Sequence, residues 1–167
     1  MNKFNENKLL YKGIESKLLI GEIKKIFPKD FIGSKDFIEL YLIYDGVDFM
    51  REAKMFRSKF YNVEKNESDQ IGVSFFFSFK RIISEKANYN ADDFPTKYKL
   101  FARTHIPFAD NGCGNSIWID TDTGVIKRLE HEEDFEEAII SIAPSFKDFC
   151  LSLEDDDPNW IKPIYDN

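Results

Sequence analysis

The chain has 167 residues, enough for one domain with a full hydrophobic core and too few for two ordinary ones. It is 43% hydrophobic, with 17 Phe, a composition that excludes a disordered chain. The net charge of -7 argues against a nucleic-acid partner, because affinity for a phosphate backbone rests on Lys and Arg displacing counterions. An acidic surface would instead attract a basic protein, although for an arbitrary acidic domain the favoured reading is that the charge only maintains solubility.

Residues 1–12 read as a polar lead-in with no apolar core or cleavage site of a signal peptide. A first helix is expected from Glu15 to Phe27, with Leu19, Ile23, Ile26 and Phe27 on one face, Ser16 as cap and Pro28 as stop. A second should start near Ser34. Its stripe is Phe37, Leu40, Tyr41 and Tyr44, widened by Ile38, Leu42 and Ile43, so it is buried on most sides and ends at Asp45-Gly46.

Arg51 to Val63 fits a helix or two short strands equally well, and Glu64 to Asp69 is a charged loop. From Ile71 to Phe79 the apolar residues alternate, which predicts a half-buried strand. Lys80 to Tyr89 reads as a helix that breaks between Asn90 and Pro95. Strands are then expected at Leu100–Ala102, Ile106–Ala109, Asn115–Asp120 and Val125–Leu129, the last two joined by the turn Thr121-Asp122-Thr123-Gly124.

Glu130 to Glu137 is an acidic run. A last helix begins at Ser145, with Asp148 placed for a capping-box contact and Phe146, Phe149, Cys150 and Leu153 as its buried stripe. Helices first, strands in the middle and a helix last make an α+β fold: a single domain, residues 13–154, with a central mostly antiparallel sheet packed by N-terminal helices and a C-terminal helix. Residues 155–167 form an acidic and aromatic tail, whose Trp160, Ile161, Ile164 and Tyr165 could fold back on the domain.

The loop in IPFADNGCGNSIWID, residues 106–120, invites several chemical readings. As a dinucleotide cradle it lacks the third glycine and the following helix. As a nucleophile elbow it has Trp118 where the second glycine belongs. A nucleophilic Cys113 would need His105 or His131 as its base. Asp120-x-Asp122 resembles the acidic pair of haloacid-dehalogenase-like phosphatases, but Gly124 replaces their Thr or Val, and the ~50 residues that remain are too few for their βα units. A calcium loop needs its glycine one position later and a Glu at the twelfth position. Neither Cys113 nor Cys150 belongs to a ligand pair or a disulfide framework, so no metal and no cofactor is expected. No apolar run reaches the ~20 residues that cross a bilayer, and a cytoplasmic location with reduced thiols is expected.

Three segments in order carry a resemblance. FPKDFIGSKDFIELYLIYDG (27–46), IPFADNGCGNSIWID (106–120) and IAPSFKDFCLSL (142–153) resemble the SUKH superfamily, whose eukaryotic members include fungal cell-wall-assembly regulators. The likeness spans about four-fifths of the chain and departs at Asp45, where Asn is usual, and at Val47-Asp48, where further glycines often follow.

The resemblance implies that Asp110, Asn111, Gly112, Gly114 and Asn115 form a corner between sheet strands near a candidate partner surface. Gly112 and Gly114 would adopt backbone conformations that other residues resist, and the side chains of Asp110, Asn111 and Asn115 would bond the turn's amides. It also implies a non-enzymatic bacterial immunity protein that binds and neutralises a cognate polymorphic toxin, often a nuclease. The alternative is a regulatory scaffold of the fungal type, and a distant third is a phosphatase using Asp120 and Asp122. An acidic inhibitor suits a basic toxin, which makes Glu130, Glu132, Glu133, Asp134, Glu136 and Glu137, with Asp155, Asp156 and Asp157, the candidate partner-binding residues. No nucleic-acid or membrane partner is expected.

Overall fold

The computed structural model describes residues 4, 9–28, 31–65, 67–92, 94–130 and 133–156. Seven strands follow one another across an antiparallel sheet in chain order: β1 (Tyr11–Glu15), β2 (Tyr44–Phe56), β3 (Gln70–Phe76), β4 (His105–Asp110), β5 (Ser116–Asp120), β6 (Ile126–Leu129) and β7 (Ile139–Ala143). The short strand β8 (Glu154–Asp155) breaks that order by pairing with β2. The helices are α1 (Ile20–Lys25), α2 (Ser34–Tyr41), α3 (Phe79–Tyr89), α4 (Thr96–Thr104), α5 (Phe135–Ala138) and α6 (Phe146–Ser152). This is the expected α+β domain with a central antiparallel sheet.

Strand alternation builds two cores. On β5, Ile117 and Ile119 point into the larger cluster while Trp118, between them, points into the smaller one on the opposite face. In the larger core α2 meets α6, with the Phe37 ring 4.6 Å from Tyr41 and 4.9 Å from Phe146. Tyr41 is buried and donates its hydroxyl to the Phe77 carbonyl at 2.9 Å, which removes the penalty of a buried unsatisfied phenol. In the smaller core α4 packs Phe101 and Ala102 against Trp118 and Leu129. Helix α3 joins the two, with Phe79 and Ile82 in the first and Tyr89 edge-on to Trp118 in the second.

Several elements differ from expectation. The segment expected as a helix from Glu15 to Phe27 is a strand ending at Glu15 followed by the six-residue α1. Ser16 lies before that helix; the Glu22 carboxylate instead accepts the Leu19 amide at 2.8 Å. Helix α2 stops at Tyr41, and Gly46 is not its cap but lies inside β2, where a Cβ would meet the Ser78 amide nitrogen at 3.2 Å. The ambiguous segment after it continues β2 to Phe56, bent by a register shift between Asp48 and Ala53. Leu100–Ala102 is helix rather than strand, because Tyr98, Phe101 and Ala102 fall on one buried helical face. The strand from Ile71 ends at Phe76, and α3 begins at Phe79.

Phe4, in the stretch read as a polar lead-in, is fully buried against Tyr11, Phe49 and Phe76. At the other end, sheet pairing runs on to Asp155. Helix α6 follows expectation: Ser145 Oγ accepts the Asp148 amide at 3.1 Å, and Phe146, Phe149, Cys150 and Leu153 are buried.

Candidate functional site

The corner between β4 and β5 is held by its own side chains. Asp110 Oδ1 accepts the Gly112 amide at 2.6 Å, and Asn111 Oδ1 accepts the amides of Cys113 and Asn115 at 2.9 and 3.1 Å. Asn115 closes the turn through its backbone, its carbonyl accepting the Asn111 amide at 3.2 Å. Gly112 and Gly114 have φ of 79° and 93°, the left-handed region that β-branched residues avoid. Gly112, Cys113 and Gly114 are exposed at the tip of this corner.

Cys113 and His105 stand at opposite ends of this part of the sheet. His105 opens β4 and the corner follows its last residue, a separation of about 17 Å for a five-residue rise. His105 is also fully engaged: Nδ1 lies 2.9 Å from the Phe101 carbonyl and Nε2 lies 3.0 Å from Lys127 Nζ. A carbonyl only accepts and an ammonium only donates, so the ring is neutral with its proton on Nδ1. Burial first, and then the neighbouring Lys127 charge, lower its pKa to about 4. His131 lies outside the described residues.

Asp120 is part of the same cluster. Its Oδ1 accepts the amides of Asp122 and Thr123 at 2.9 and 3.2 Å, shaping the β5–β6 turn, while Oδ2 accepts Lys127 Nζ at 3.0 Å. Burial would raise its pKa, but the Lys127 contact and the turn amides outweigh it and hold the carboxyl at about 2. Asp122 is exposed. Among the described residues no group of three or more His, Cys, Asp and Glu side chains is arranged to hold a metal ion. No helix among them is long and apolar enough to cross a membrane.

The acidic candidates separate into two kinds. Asp155 is only 6% exposed and pairs with Arg51, while Asp156 is exposed and pairs with Lys54 at 3.2 Å, so both charges are engaged by β2. Glu133, Asp134, Glu136 and Glu137 surround the single turn of α5 and are exposed, and Lys97 lies 3.8 Å from Glu136 in loose contact. Glu130 is half-buried and takes Arg128 Nη1 at 3.1 Å. Glu132 and Asp157 lie outside the described residues.

The fold adds residues that the sequence reading left out. Tyr89 ends α3, Phe94 lies in the following loop and Tyr98 is in the first turn of α4; their ring centroids are 5.0, 6.0 and 6.2 Å apart. With Gly114, Leu129 and Glu130 they line a cavity of about 290 Å³. It connects the glycine corner to the start of the acidic run, two segments the sequence offered separately. The only signal in the sequence was three aromatic residues around the break at Pro95. Residues 34–152 match the family model described as SMI1 / KNR4 family (SUKH-1). No curated protein matches the chain.

Proposed function

Because the chain belongs to the SMI1 / KNR4 family (SUKH-1), we propose that it acts by binding, as an immunity protein that neutralises a cognate polymorphic toxin in the cytoplasm of the producing bacterial cell. The observation that carries this reading is the disposition of the carboxylates. Asp120, the candidate nucleophile of the Asp120-x-Asp122 pair, is engaged on both oxygens within the fold, whereas the α5 carboxylates face solvent. A buried, ion-paired carboxylate is a poor nucleophile toward phosphorus, and an exposed acidic cluster attracts a basic partner and speeds encounter.

A nuclease toxin fits this surface because its substrate cleft is positively charged. Inhibition then needs no chemistry, only occlusion of that cleft. The test is co-expression with nuclease toxin domains that each arrest growth when expressed alone. Restored growth and a stable purified complex are expected. Growth arrest in the presence of correctly folded protein, or restored growth with no complex, overturns inhibition by binding. Magnesium-dependent phosphate release by the purified protein, lost in an Asp120→Asn variant that remains folded, would instead revive the phosphatase reading.

A further inference from the structure

We propose that the cavity between the end of α3, the start of α4 and the β4–β5 corner is a socket for one cationic side chain, an arginine or lysine, of the basic partner. The inference rests on the toxin-binding reading above and gives that partner a specific anchor.

Three properties of the cavity point to this occupant. Its volume of about 290 Å³ lies just below the roughly 300–1,000 Å³ of small-molecule pockets, a size for a single side chain. Its walls are the rings of Tyr89, Phe94 and Tyr98, over a floor of Leu129, and aromatic faces attract cations through the ring quadrupole. Its rim is acidic. Glu130 lines it, and burial pushes the Tyr89 phenol up against the lowering effect of its Ser116 hydrogen bond, with smaller upward pushes from Glu85, Tyr98 and Asp110.

Two of the described cations flank the cavity. Arg128 holds Glu130 through Oε1, and the Lys97 ammonium lies 5.9 Å from the Tyr98 ring and 5.3 Å from Phe135 while contacting Glu136. An incoming guanidinium would share the Glu130 carboxylate with Arg128 and stack on the remaining ring faces. The back wall is fixed, because Tyr89 abuts the fully buried Trp118 at 4.8 Å and Trp118 Nε1 is held by Ser116 Oγ at 2.7 Å. A rigid wall lowers the ordering cost of binding.

The experiment is an NMR titration of the full chain with Nα-acetyl-arginine amide, with Nα-acetyl-norleucine amide as the uncharged control. The arginine probe should shift the amide signals of Tyr89, Tyr98, Gly114 and Glu130 and saturate at millimolar concentration, while norleucine leaves them in place. Glu130→Gln and Phe94→Leu should each weaken the response by about two- to fivefold. Equal shifts from norleucine, no saturable shift, or an unchanged response in both folded variants overturns the socket. Tighter binding of tetramethylammonium than of the arginine probe assigns the cavity to a free quaternary ammonium ligand and also overturns it. If the toxin binds the wild type and both variants alike, the toxin-binding reading survives and the socket falls. If the arginine probe binds as described but no toxin domain does, the socket survives and the toxin reading falls.

Discussion

Asp120 has one oxygen on the turn amides and the other on Lys127, so its two functions can be separated by substitution. Asn keeps the turn acceptor but loses the charge that balances Lys127 beside His105. Asp120→Asn should therefore destabilise the fold by about 1–3 kcal/mol in urea unfolding, below the full penalty for breaking a buried pair because Lys127 is partly exposed. Asp122→Asn should change little. The same cluster predicts an acid-sensitive fold. His105 is neutral with a lowered pKa, so its contribution is complete above the unfolded value near 6.5 and is lost as pH falls through about 4. Asp120, also lowered, contributes above its ordinary value near 3.9, and this is lost as pH falls toward about 2. Unfolding free energy measured from pH 7 to pH 4 should decline first through His105, and His105→Gln should flatten that part of the curve. At the corner, Gly114→Val forces a β-branched residue to φ near 93° and should cost about 1–3 kcal/mol; unchanged thermal unfolding would show that the corner relaxes freely.

At the scale of elements, the sequence was most legible where one element buries one face. The α2 residues Phe37, Leu40 and Tyr41, the Ser145 cap of α6 and the β5–β6 hairpin all follow from spacing and turn chemistry. Strand β2 did not, because its register shift between Asp48 and Ala53 interrupts the alternation that would have marked it, and its edge serves first β1 and then β8. Strand β7 was hidden for another reason: Ile139–Ala143 has no polar alternation and directly follows the acidic residues of α5. The socket residues could not be assembled from sequence because Tyr89 and Tyr98 come together with Gly114 and Glu130 only through folding. Strand β8 makes a testable claim of its own. Asp155→Ala removes the buried partner of Arg51 and should lower stability by about 1–3 kcal/mol, read as a shift in the urea midpoint. A midpoint equal to the wild type would show that β8 is held by its backbone pairing alone.

For the whole molecule, the net charge of -7 acts at a distance and the packed surface acts in contact. Replacing Glu133, Asp134, Glu136 and Glu137 with Gln or Asn should slow association with a basic toxin, by about tenfold at low salt, and flatten its salt dependence while leaving dissociation nearly unchanged. Stopped-flow association from low to high salt reads both effects. An unchanged rate and slope would remove the α5 surface from the encounter. Neutralising Asp156, already paired with Lys54, should have a smaller effect on the same measurement.

The pairing of β8 with β2 also sets an order of events during synthesis. Arg51 and its partner Asp155 are 104 positions apart, so β2 leaves the ribosome long before the strand that completes this edge. Until that strand arrives, the edge of β2 beyond the reach of β1 exposes unpaired peptide groups, a template for pairing with another nascent chain. A transcript cut short before codon 154 would yield a chain carrying the socket and the acidic turn but with that edge open. Such a fragment should be lost to aggregation or proteolysis, so the supply of folded protein would depend on completing this edge as well as on starting the chain.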